Sequence, residues 1–287
     1  MIKNILITGA NGQLGNEMRV LSAENPQFTY FFTDIEELDI LDEAAIDRFV
    51  ESNQIDAIVN CAAYTAVDKA EANEELCHRL NAVAPGYLSR AMGRCGGTMI
   101  QISTDYVFDG TGHIPYREEV SPCPASVYGR TKLAGEQNVL SACPRSVVIR
   151  TAWLYSTFGN NFVKTMLRLG KERDNLGVVF DQIGTPTYAR DLAQAIYSIL
   201  NQDIVPGVYH FSNEGVCSWY DFTVAIHRIA GISGCQVRPL HTDEYPAPAP
   251  RPHYSVFDKT KIKTVYGLHI PHWHESLERC ISLLENA

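Results

Sequence analysis

Two side chains that could share a proton lie in the segment YGRTK at residues 128–132. Tyr128 and Lys132 are four positions apart, so on a helix they lie on the same face, one turn from each other. A phenol with an ordinary pKa of about 10 is a poor acid–base catalyst at neutral pH. A nearby ammonium group favours the phenolate and lowers that pKa. The pair therefore predicts proton transfer by Tyr128, with Lys132 also able to hydrogen-bond the ribose hydroxyls of a nicotinamide cofactor.

Three polar residues, Ser103, Thr104 and Asp105, follow an apolar run that predicts a strand. A hydroxyl at this position can donate a hydrogen bond to a substrate carbonyl and polarise it. Ser, Thr and Asp are also common turn and capping residues. One of these three residues could therefore have a turn or capping role and no role in chemistry.

The chain opens with an apolar strand that runs into three glycines, Gly9, Gly12 and Gly15, and continues as a predicted helix at 17–21. Glycines let the backbone approach a pyrophosphate, and the helix N-terminus offers free N–H groups and a positive dipole end. The GxxGxxG spacing differs from the GxGxxG form. The loop predicts a dinucleotide site, and a tight turn without a ligand is the alternative.

Acidic residues follow the second predicted strand. Asp34 comes about 20 residues after the glycine turn, where a carboxylate accepts hydrogen bonds from the adenosine ribose. Asp34 would repel a 2′-phosphate, which favours NADH over NADPH. The alternative is that Asp34 is only an acidic residue in a surface turn. Asp39 and Ile40 come next, in a position to close over the adenine ring.

Small residues follow the third predicted strand in the segment NCAAYT at 60–65. Ala62 and Ala63, with Tyr64 beside them, would let a cofactor approach the backbone. Tight packing beneath the next helix is a compatible alternative.

Strands and helices alternate through the first half of the chain. Strands are predicted at 5–8, 28–33, 56–60, 98–103 and 146–151, and helices at 44–52, 74–95 and 128–140. Pro85 predicts a kink or a boundary in the second of these helices. Strands separated by helices imply parallel pairing with right-handed crossovers. The predicted fold is α/β, a doubly wound parallel sheet that is Rossmann-like.

The second half of the chain has a looser pattern. Helices are predicted at 161–172, 190–200 and 219–229 and from Trp273, with a short strand at 208–212 and a proline-rich loop at 245–252. We expect a dinucleotide-binding domain at 1–151 and a smaller substrate-binding region at 152–287, a C-terminal cap at the carboxyl edge of the sheet. Segments of the second half could return to the first domain.

Bulk properties narrow the function classes. The chain has 287 residues and a net charge of −9, so nothing indicates general affinity for nucleic acid. No apolar run approaches the roughly 20 residues of a membrane helix, and no targeting segment is evident. The eight cysteines form no CxxC pair, which favours free thiols and a cytoplasmic protein. The segment HIPHWH at 269–274 predicts a loop or a helix start rather than a metal site.

Several longer stretches resemble one family. They are TGANGQLG at 8–15, NCAAYTAVDKAE at 60–71, STDYVFDGTG at 103–112, VYGRTKLAGE at 127–136, RTAWLY at 150–155, GNNFVKTMLRL at 159–169, DQIGTPT at 181–187 and RP at 251–252. Together they resemble the extended short-chain dehydrogenase/reductases and, within them, the dTDP-4-dehydrorhamnose reductase family. The resemblance covers almost the whole chain.

This resemblance implies a reaction, in which a 4-keto-6-deoxy sugar on thymidine diphosphate is reduced at carbon 4 to give dTDP-L-rhamnose. Tyr128 would give a proton to the carbonyl oxygen, Lys132 would support Tyr128, and Thr104 would orient the carbonyl. The sugar pocket would contain Thr104, Asp105, Val67 and Trp153, and the candidates to meet the diphosphate are Lys164, Arg168 and Arg251. NADPH or NADH would be held by Gly9, Asn11, Gly12, Gln13, Leu14, Gly15, Asp34, Asp39, Ile40, Ala62, Ala63, Tyr64, Tyr128 and Lys132.

Some relatives form a dimer that shares a magnesium ion through glutamates. Glu17 matches one such position, but Arg190 stands where those members carry an acid, and no C-terminal glutamate is a clear equivalent. Arginine is not a metal ligand. We therefore expect no metal site among these residues, and a monomer or a homodimer. A magnesium requirement in assays is implied only by the resemblance.

Other functions remain open on this scaffold, and the first is the reduction of a different nucleotide sugar. A sugar-nucleotide dehydratase needs an extra acid beside the Thr-Asp pair, where this chain has Tyr106, whereas an epimerase needs only the Tyr-Lys pair and a cofactor that stays bound. A regulatory subunit that binds a dinucleotide without turnover is the other alternative. Such proteins tend to lose the catalytic pair, which is present here.

Overall fold

The computed structural model describes residues 2–286. The strands are β1 Asn4–Thr8, β2 Thr29–Thr33, β3 Ala57–Asn60, β4 Thr98–Thr104, β5 Ser146–Thr151, β6 Leu154–Tyr155, β7 Asn175–Val179, β8 Ile183–Gly184, β9 Thr187–Tyr188, β10 Gly207–His210, β11 Cys217–Ser218 and β12 Gln236–Leu240. The helices are α1 Gln13–Leu21, α2 Glu43–Ser52, α3 Val67–Ala70, α4 Glu74–His78, α5 Ala84–Cys95, α6 Val127–Ala142, α7 Phe162–Glu172, α8 Ala189–Leu200, α9 Trp219–Ile229, α10 Thr260–Tyr266 and α11 Trp273–Glu285.

Six parallel strands form the central sheet in the order β10-β5-β4-β3-β1-β2. Helices cover both faces, so the central strands are apolar on both sides. In β1, Ile5 and Ile7 pack with Met18 of α1 and Ile196 of α8, while Leu6 packs on the other face among residues of α2 and α5. Burial on both faces explains why these strands read as continuous apolar runs rather than as alternating patterns. The predicted doubly wound sheet is confirmed.

The sixth strand of this sheet comes from the second half of the chain. β10 pairs in parallel with β5, and its register places Tyr209 opposite Ile149. Helix α8 precedes it and packs against α1 in the same layer. The edge of the nucleotide-binding sheet is therefore built from residues beyond 151.

The predicted helix at 74–95 is divided into two helices. A π-helical turn at Arg79–Val83 separates α4 from α5, and Pro85 lies in the first turn of α5. Proline has no backbone N–H to donate, and the first turn of a helix needs none. The interruption expected near Pro85 is confirmed, and it takes the form of a wide turn that holds Asn81 in the interior.

The remaining C-terminal elements have their own core. Helices α7, α9 and α11 pack with the β7–β12 strand pair around Tyr155, Phe222 and Leu277, all nearly inaccessible to solvent. This second core lies beyond the carboxyl end of β5, so it forms a smaller unit beside the sheet. No helix within 2–286 is long and apolar enough to span a membrane.

Candidate active site

The chemistry-bearing residues meet at one edge of the sheet because the strands are parallel. Thr104 ends β4, and Asp105 begins the 3₁₀ turn that follows. Tyr128 lies in the first turn of α6, whose N-terminus is capped by the Ser126 side chain accepting from the Gly129 N–H. The glycine loop follows β1 at the same carboxyl edge. In open α/β sheets this edge is where ligands bind.

Thr104 and Asp105, both buried, form a polar group with the half-buried Tyr128. The Thr104 hydroxyl donates to Asp105 Oδ1 at 2.9 Å and accepts from the Tyr106 N–H at 3.3 Å. The Tyr106 ring packs edge-on against Tyr128, with centroids 5.4 Å apart. The structure thus brings together the hydroxyl, carboxyl and phenol that the sequence singled out. Ser103 points away from them and donates to Glu136 instead.

The pKa of Tyr128 moves in the opposite direction from the one expected. Burial raises the pKa of the phenol above its usual value, the Thr104 side chain acts to lower it, and the charge of Asp105 adds to the rise. Lys132 is not among the causes of this shift, and its ammonium group donates to the Ile102 carbonyl at 2.6 Å. The expected lowering of the pKa is therefore wrong for this structure. A phenol that stays protonated suits a proton donor.

Lys132 is almost completely buried on α6. Burial lowers the pKa of its ammonium group to about 8, and the charge of Glu136 acts in the opposite direction. A lysine with a pKa near the working pH can change its protonation state during catalysis or on ligand binding.

Asp105 is the second buried titratable group at this edge. Burial raises the pKa of its carboxyl to about 6, and hydrogen bonds, including the one from Thr104, only partly offset the rise. Its Oδ2 atom is buried without a hydrogen-bond partner in the part of the chain that the structure describes. The Ser255 side chain lies close enough to lower the pKa of Asp105 in part, but it makes no well-formed hydrogen bond to Oδ2. Such an atom costs free energy unless a ligand or water satisfies it, so Asp105 presents an acceptor at the site.

Two of the glycines have steric reasons to be glycine. Gly9 has a φ of +62°, and a Cβ there would lie 2.6 Å from the Ala62 backbone nitrogen. At Gly15 a Cβ would lie 2.5 Å from Cα of Ala10. The loop therefore packs against the end of β3 and beneath α1 with no space for side chains. This close packing leaves the N-terminus of α1 accessible, as a pyrophosphate site requires.

Replacing Gly9 by alanine is expected to destabilise the protein more than the same change at Gly96. Both glycines have a positive φ, which costs an alanine about 1–2 kcal/mol. Only Gly9→Ala also forces a clash, because nothing lies within 4 Å of a Cβ at Gly96. Thermal unfolding of the two variants measures the difference. Equal losses in melting temperature would show that the loop can move aside.

The Asp34 carboxylate touches the glycine loop directly. Its Oδ2 accepts from the Asn11 N–H at 3.1 Å, and its Oδ1 accepts from the Ile35 N–H. Asp39 is exposed and accepts from the Leu41 N–H, while Ile40 is buried in the core on the α2–α5 face. Asp34 thus lies beside the loop, and the roles of Asp39 and Ile40 toward an adenine ring stay predictions.

The segment after β3 is held by a residue that sequence reasoning missed. The Asn81 side chain accepts from the Tyr64 N–H at 2.8 Å and donates to the Tyr64 carbonyl at 3.1 Å. Its amide also lies 3.3 Å from the Thr131 hydroxyl of α6. Asn81 thereby links the segment before α3 to α6, the helix that carries Tyr128 and Lys132. The π-helical turn that contains Asn81 is a known mark of functional positions, but sequence alone does not predict that turn.

Trp153 lies beyond β5 with a strained backbone and a stacked ring. Its φ is +48°, and its indole stacks on Trp219 of α9 with centroids 3.6 Å apart. A Cβ at Gly184 would lie 2.7 Å from the same indole. A non-glycine residue in this conformation is uncommon and often marks a functional position. One face of Trp153 is therefore committed to packing. Val67, at the start of α3, is half-buried.

The three cations proposed for a diphosphate have different partners. Lys164 donates to the Gly159 carbonyl, and Arg168 pairs with Glu172 on the exposed face of α7. Arg251 forms a two-pronged ion pair with Asp68, each contact 2.8 Å long. Its charge also acts on the Tyr106 phenol. Arg251 is thus linked to the site through Tyr106, whose ring packs against Tyr128.

The residues around Glu17 do not suit a metal ion. Glu17 is buried, accepts from the Ser156 hydroxyl at 2.6 Å, and has a pKa raised by burial and lowered in part by Ser156 and Arg190. The positive charge of Arg190 acts where a divalent cation would have to sit. Within residues 2–286 no group of three His, Cys, Asp or Glu side chains could hold a metal. The HIPHWH segment instead supplies the cap of α11, where His272 Nδ1 accepts from the His274 N–H.

Comparison with known proteins agrees with this site. The family model described as the RmlD substrate binding domain matches residues 3–286. A dTDP-4-dehydrorhamnose reductase of Aggregatibacter actinomycetemcomitans is 40% identical over 96% of this chain and 97% of its own.

Solved structures give the same result. A dTDP-4-dehydrorhamnose reductase of Clostridium acetobutylicum superimposes with a TM-score of 0.94 at 44% identity, over 98% of this chain and 99% of its own. The dTDP-4-dehydrorhamnose reductase of Bacillus anthracis, solved in complex with NADP, also has a TM-score of 0.94. It is 39% identical and covers 99% of this chain and 100% of its own. The chain therefore belongs to the dTDP-4-dehydrorhamnose reductase family.

Proposed function

We propose that the protein reduces the 4-keto group of dTDP-4-dehydrorhamnose to give dTDP-L-rhamnose, with NADPH or NADH as the reductant. The observation that carries the proposal is the placement of the half-buried Tyr128 and the buried Thr104 and Lys132 at the same sheet edge as the glycine loop. The family membership of the chain and the activity for which its relatives are named support the same reaction.

The loop after β1 fits a dinucleotide. Gly9 and Gly15 leave no room for a Cβ, so the backbone itself forms the surface, and α1 begins directly behind it. The loop N–H groups and the helix dipole would hold the pyrophosphate, and Asp34 would meet the adenosine ribose. A bound reduced nicotinamide supplies the hydride for the carbonyl carbon.

The proton steps fall to residues of this chain. The Tyr128 phenol, protonated because burial raises its pKa, gives its proton to the carbonyl oxygen as charge develops there. The Thr104 hydroxyl is placed to donate to the same oxygen. With the ligands bound, the positive charge of Lys132, one turn along the same helix, would support the phenolate that remains; without them it is not among the causes of the pKa shift of Tyr128. Bulk solvent then returns the proton to Tyr128.

The sugar nucleotide would be held by residues around this group. Asp105 offers its unpartnered Oδ2 to a sugar hydroxyl, and Trp153 and Val67 offer apolar surface to the ring. Arg251 is the candidate for the diphosphate, in which case it would exchange its pairing with Asp68 for the ligand. We propose that residues beyond 151, apart from those that complete the sheet, form this substrate-binding region.

The decisive assay mixes the protein with dTDP-4-dehydrorhamnose and a measured excess of NADPH or NADH. Stoichiometric loss of nicotinamide absorbance, with formation of dTDP-L-rhamnose, is the expected result. A changed sugar without loss of absorbance would indicate an epimerase, and no change in either would indicate a regulatory protein. A dehydratase is disfavoured because the position after Asp105 holds Tyr106, whose pKa is raised further by burial.

The choice between the two cofactors depends on Asp34. Asp34→Ala is expected to weaken NADH binding relative to NADPH, because the carboxylate that accepts from the ribose and repels a 2′-phosphate is lost. Competition binding of the two cofactors measures the ratio. Glu36→Ala removes the same charge from an exposed residue two positions away and is the matched control. An unchanged ratio in Asp34→Ala would contradict the ribose role.

We also propose that the enzyme works in the cytoplasm, where reduced nicotinamide is regenerated. The eight cysteines are unpaired, which suits a reducing compartment. The substrate is a small molecule, so no nucleic acid or membrane partner is required.

A further inference from the structure

Glu136 lies one helical turn beyond Lys132 on α6, and the reaction described above gives it no role. Its side chain is almost completely buried. The Ser103 hydroxyl donates to Oε1 at 2.5 Å, and Arg150 of β5 donates to Oε1 at 2.9 Å and to Oε2 at 2.7 Å. The carboxylate is therefore fixed from two strands of the sheet. Such a two-pronged clamp defines its position as well as its charge.

The surroundings of this clamp leave Arg150 without another anion. Its second neighbour is His210, with 3.4 Å between Arg150 Nη1 and His210 Nε2. Burial and the Arg150 charge lower the pKa of His210 to about 3, so the ring is neutral. The Phe108 ring covers the guanidinium at 5.3 Å. Arg150 thus has one strong partner, and Glu136 faces two cations, Arg150 and Lys132.

Stability alone does not explain a buried cluster of this kind. Removing two charges from water is costly, and well-packed apolar residues often replace a buried ion pair without loss of stability. The cluster lies directly behind the active site, and its strands β4 and β5 also carry Thr104 and precede Trp153. An electrostatic effect on the neighbouring Lys132 ammonium group would explain why charged residues occupy this buried position.

We propose that Glu136, clamped by Ser103 and Arg150, is a positioning residue: its fixed carboxylate, one helical turn from Lys132, keeps the Lys132 ammonium charged. Only the expected effect of Glu136 on turnover rests on the proposed function. The electrostatic part of the proposal is a property of the folded protein. Lys132 touches the Ile102 carbonyl, a neutral acceptor, so the charge that balances the ammonium must come from elsewhere.

The other groups that face Lys132 do not supply that charge. From α4, the Cys77 thiol has a pKa raised by burial and is neutral at neutral pH. On α6 itself, Tyr128 is a neutral phenol. Burial lowers the pKa of Lys132 to about 8 even with Glu136 present, and Glu136 is the largest of the effects that raise it. Loss of the carboxylate charge therefore moves the ammonium toward its neutral form.

The test is a pH titration of Lys132 in the full-length protein labelled with ¹³C-lysine. The Lys132 signal is assigned by its disappearance in Lys132→Met. In Glu136→Gln we expect its midpoint to fall by about one pH unit, the size of effect that a nearby opposite charge has on a buried group. The basic limb of the turnover profile is expected to shift by the same amount. At pH 8 the charged fraction of Lys132 would fall from about one-half to about one-tenth, so turnover there falls by about 5-fold.

A matched control separates this effect from general loss of stability. Asp191 is a buried carboxylate that accepts from Ser276 at 2.5 Å and from Arg279 at 2.6 Å, away from Tyr128. Asp191→Asn breaks a comparable clamp, and we expect it to lower the melting temperature and to leave the Lys132 midpoint unchanged. An equal shift of the midpoint in both variants would mean that Glu136 acts only on the fold.

Glu136→Asp keeps the negative charge, but its side chain is one methylene shorter, so the carboxylate lies farther from Lys132. It is expected to show a smaller downward shift than Glu136→Gln, and it serves as the measured variant if Glu136→Gln does not fold. An unchanged midpoint in whichever variant folds would overturn the proposal. The titration needs no substrate. Absence of reductase turnover would therefore contradict the proposed function without affecting the result for Glu136.

Discussion

Tyr128→Phe is expected to lower turnover by about 10²–10⁴-fold, the usual contribution of a general acid. The substitution removes one oxygen from a ring that otherwise keeps its edge-on packing against Tyr106. Affinity for NADPH or NADH is expected to change little, because the loop after β1 carries the pyrophosphate. Steady-state kinetics and fluorescence titration of the cofactor measure the two effects separately.

Tyr155→Phe is the matched control for this result. Tyr155 is more buried than Tyr128, and its hydroxyl has no hydrogen-bond partner in the described chain, so removing that hydroxyl leaves no other group without a partner. It lies in the second core, packed with Phe222. If Tyr128→Phe retained turnover within a few-fold of the parent, another group would have to be the proton donor.

Lys132→Met is expected to impair both turnover and cofactor binding. Methionine fills a similar volume but carries no charge to stabilise the phenolate and no donor for the ribose. Loss of a charged hydrogen bond corresponds to about 1.5–3 kcal/mol, or about 10-fold to 100-fold in the cofactor Kd. Turnover at saturating cofactor should fall further, because the transition state loses the same charge.

Lys259→Met controls for the loss of a buried lysine. Lys259 is about as buried as Lys132, and it donates to the Asn213 carbonyl at 3.0 Å and pairs with Glu214 at 3.3 Å. We expect this variant to be less stable but to bind cofactor normally. A Lys132→Met protein with unchanged cofactor affinity would restrict Lys132 to the proton step.

The parts of the fold that sequence predicted are those set by local pattern. Continuous apolar runs such as Ile5–Ile7 indicated strands buried on both faces, and the structure shows helices on both sides of them. Helix ends were less accurate: α1 begins at Gln13 rather than Glu17, because Gly12 serves as its N-cap. Capping by a glycine leaves no side-chain signal in the sequence.

The parts that sequence did not predict depend on contacts between distant residues. Spacing alone placed Tyr128 and Lys132 on one helix face, but it could not show that burial would raise the pKa of the phenol. It suggested that Arg251 could meet a phosphate and gave no sign of its partner Asp68, 183 residues away. The inward turn of Ser103 toward Glu136 is likewise a product of tertiary packing.

The position of β10 has a consequence for how the chain is made. β5 ends at Thr151, but the strand that covers its outer edge ends only at His210. While the ribosome is still adding the intervening residues, β5 presents unpaired N–H and C=O groups, which are a template for pairing with other chains. Synthesis must therefore proceed through about three-quarters of the 287 residues before the sheet is complete. A nascent chain that stalls before that point would be a substrate for chaperones rather than an enzyme.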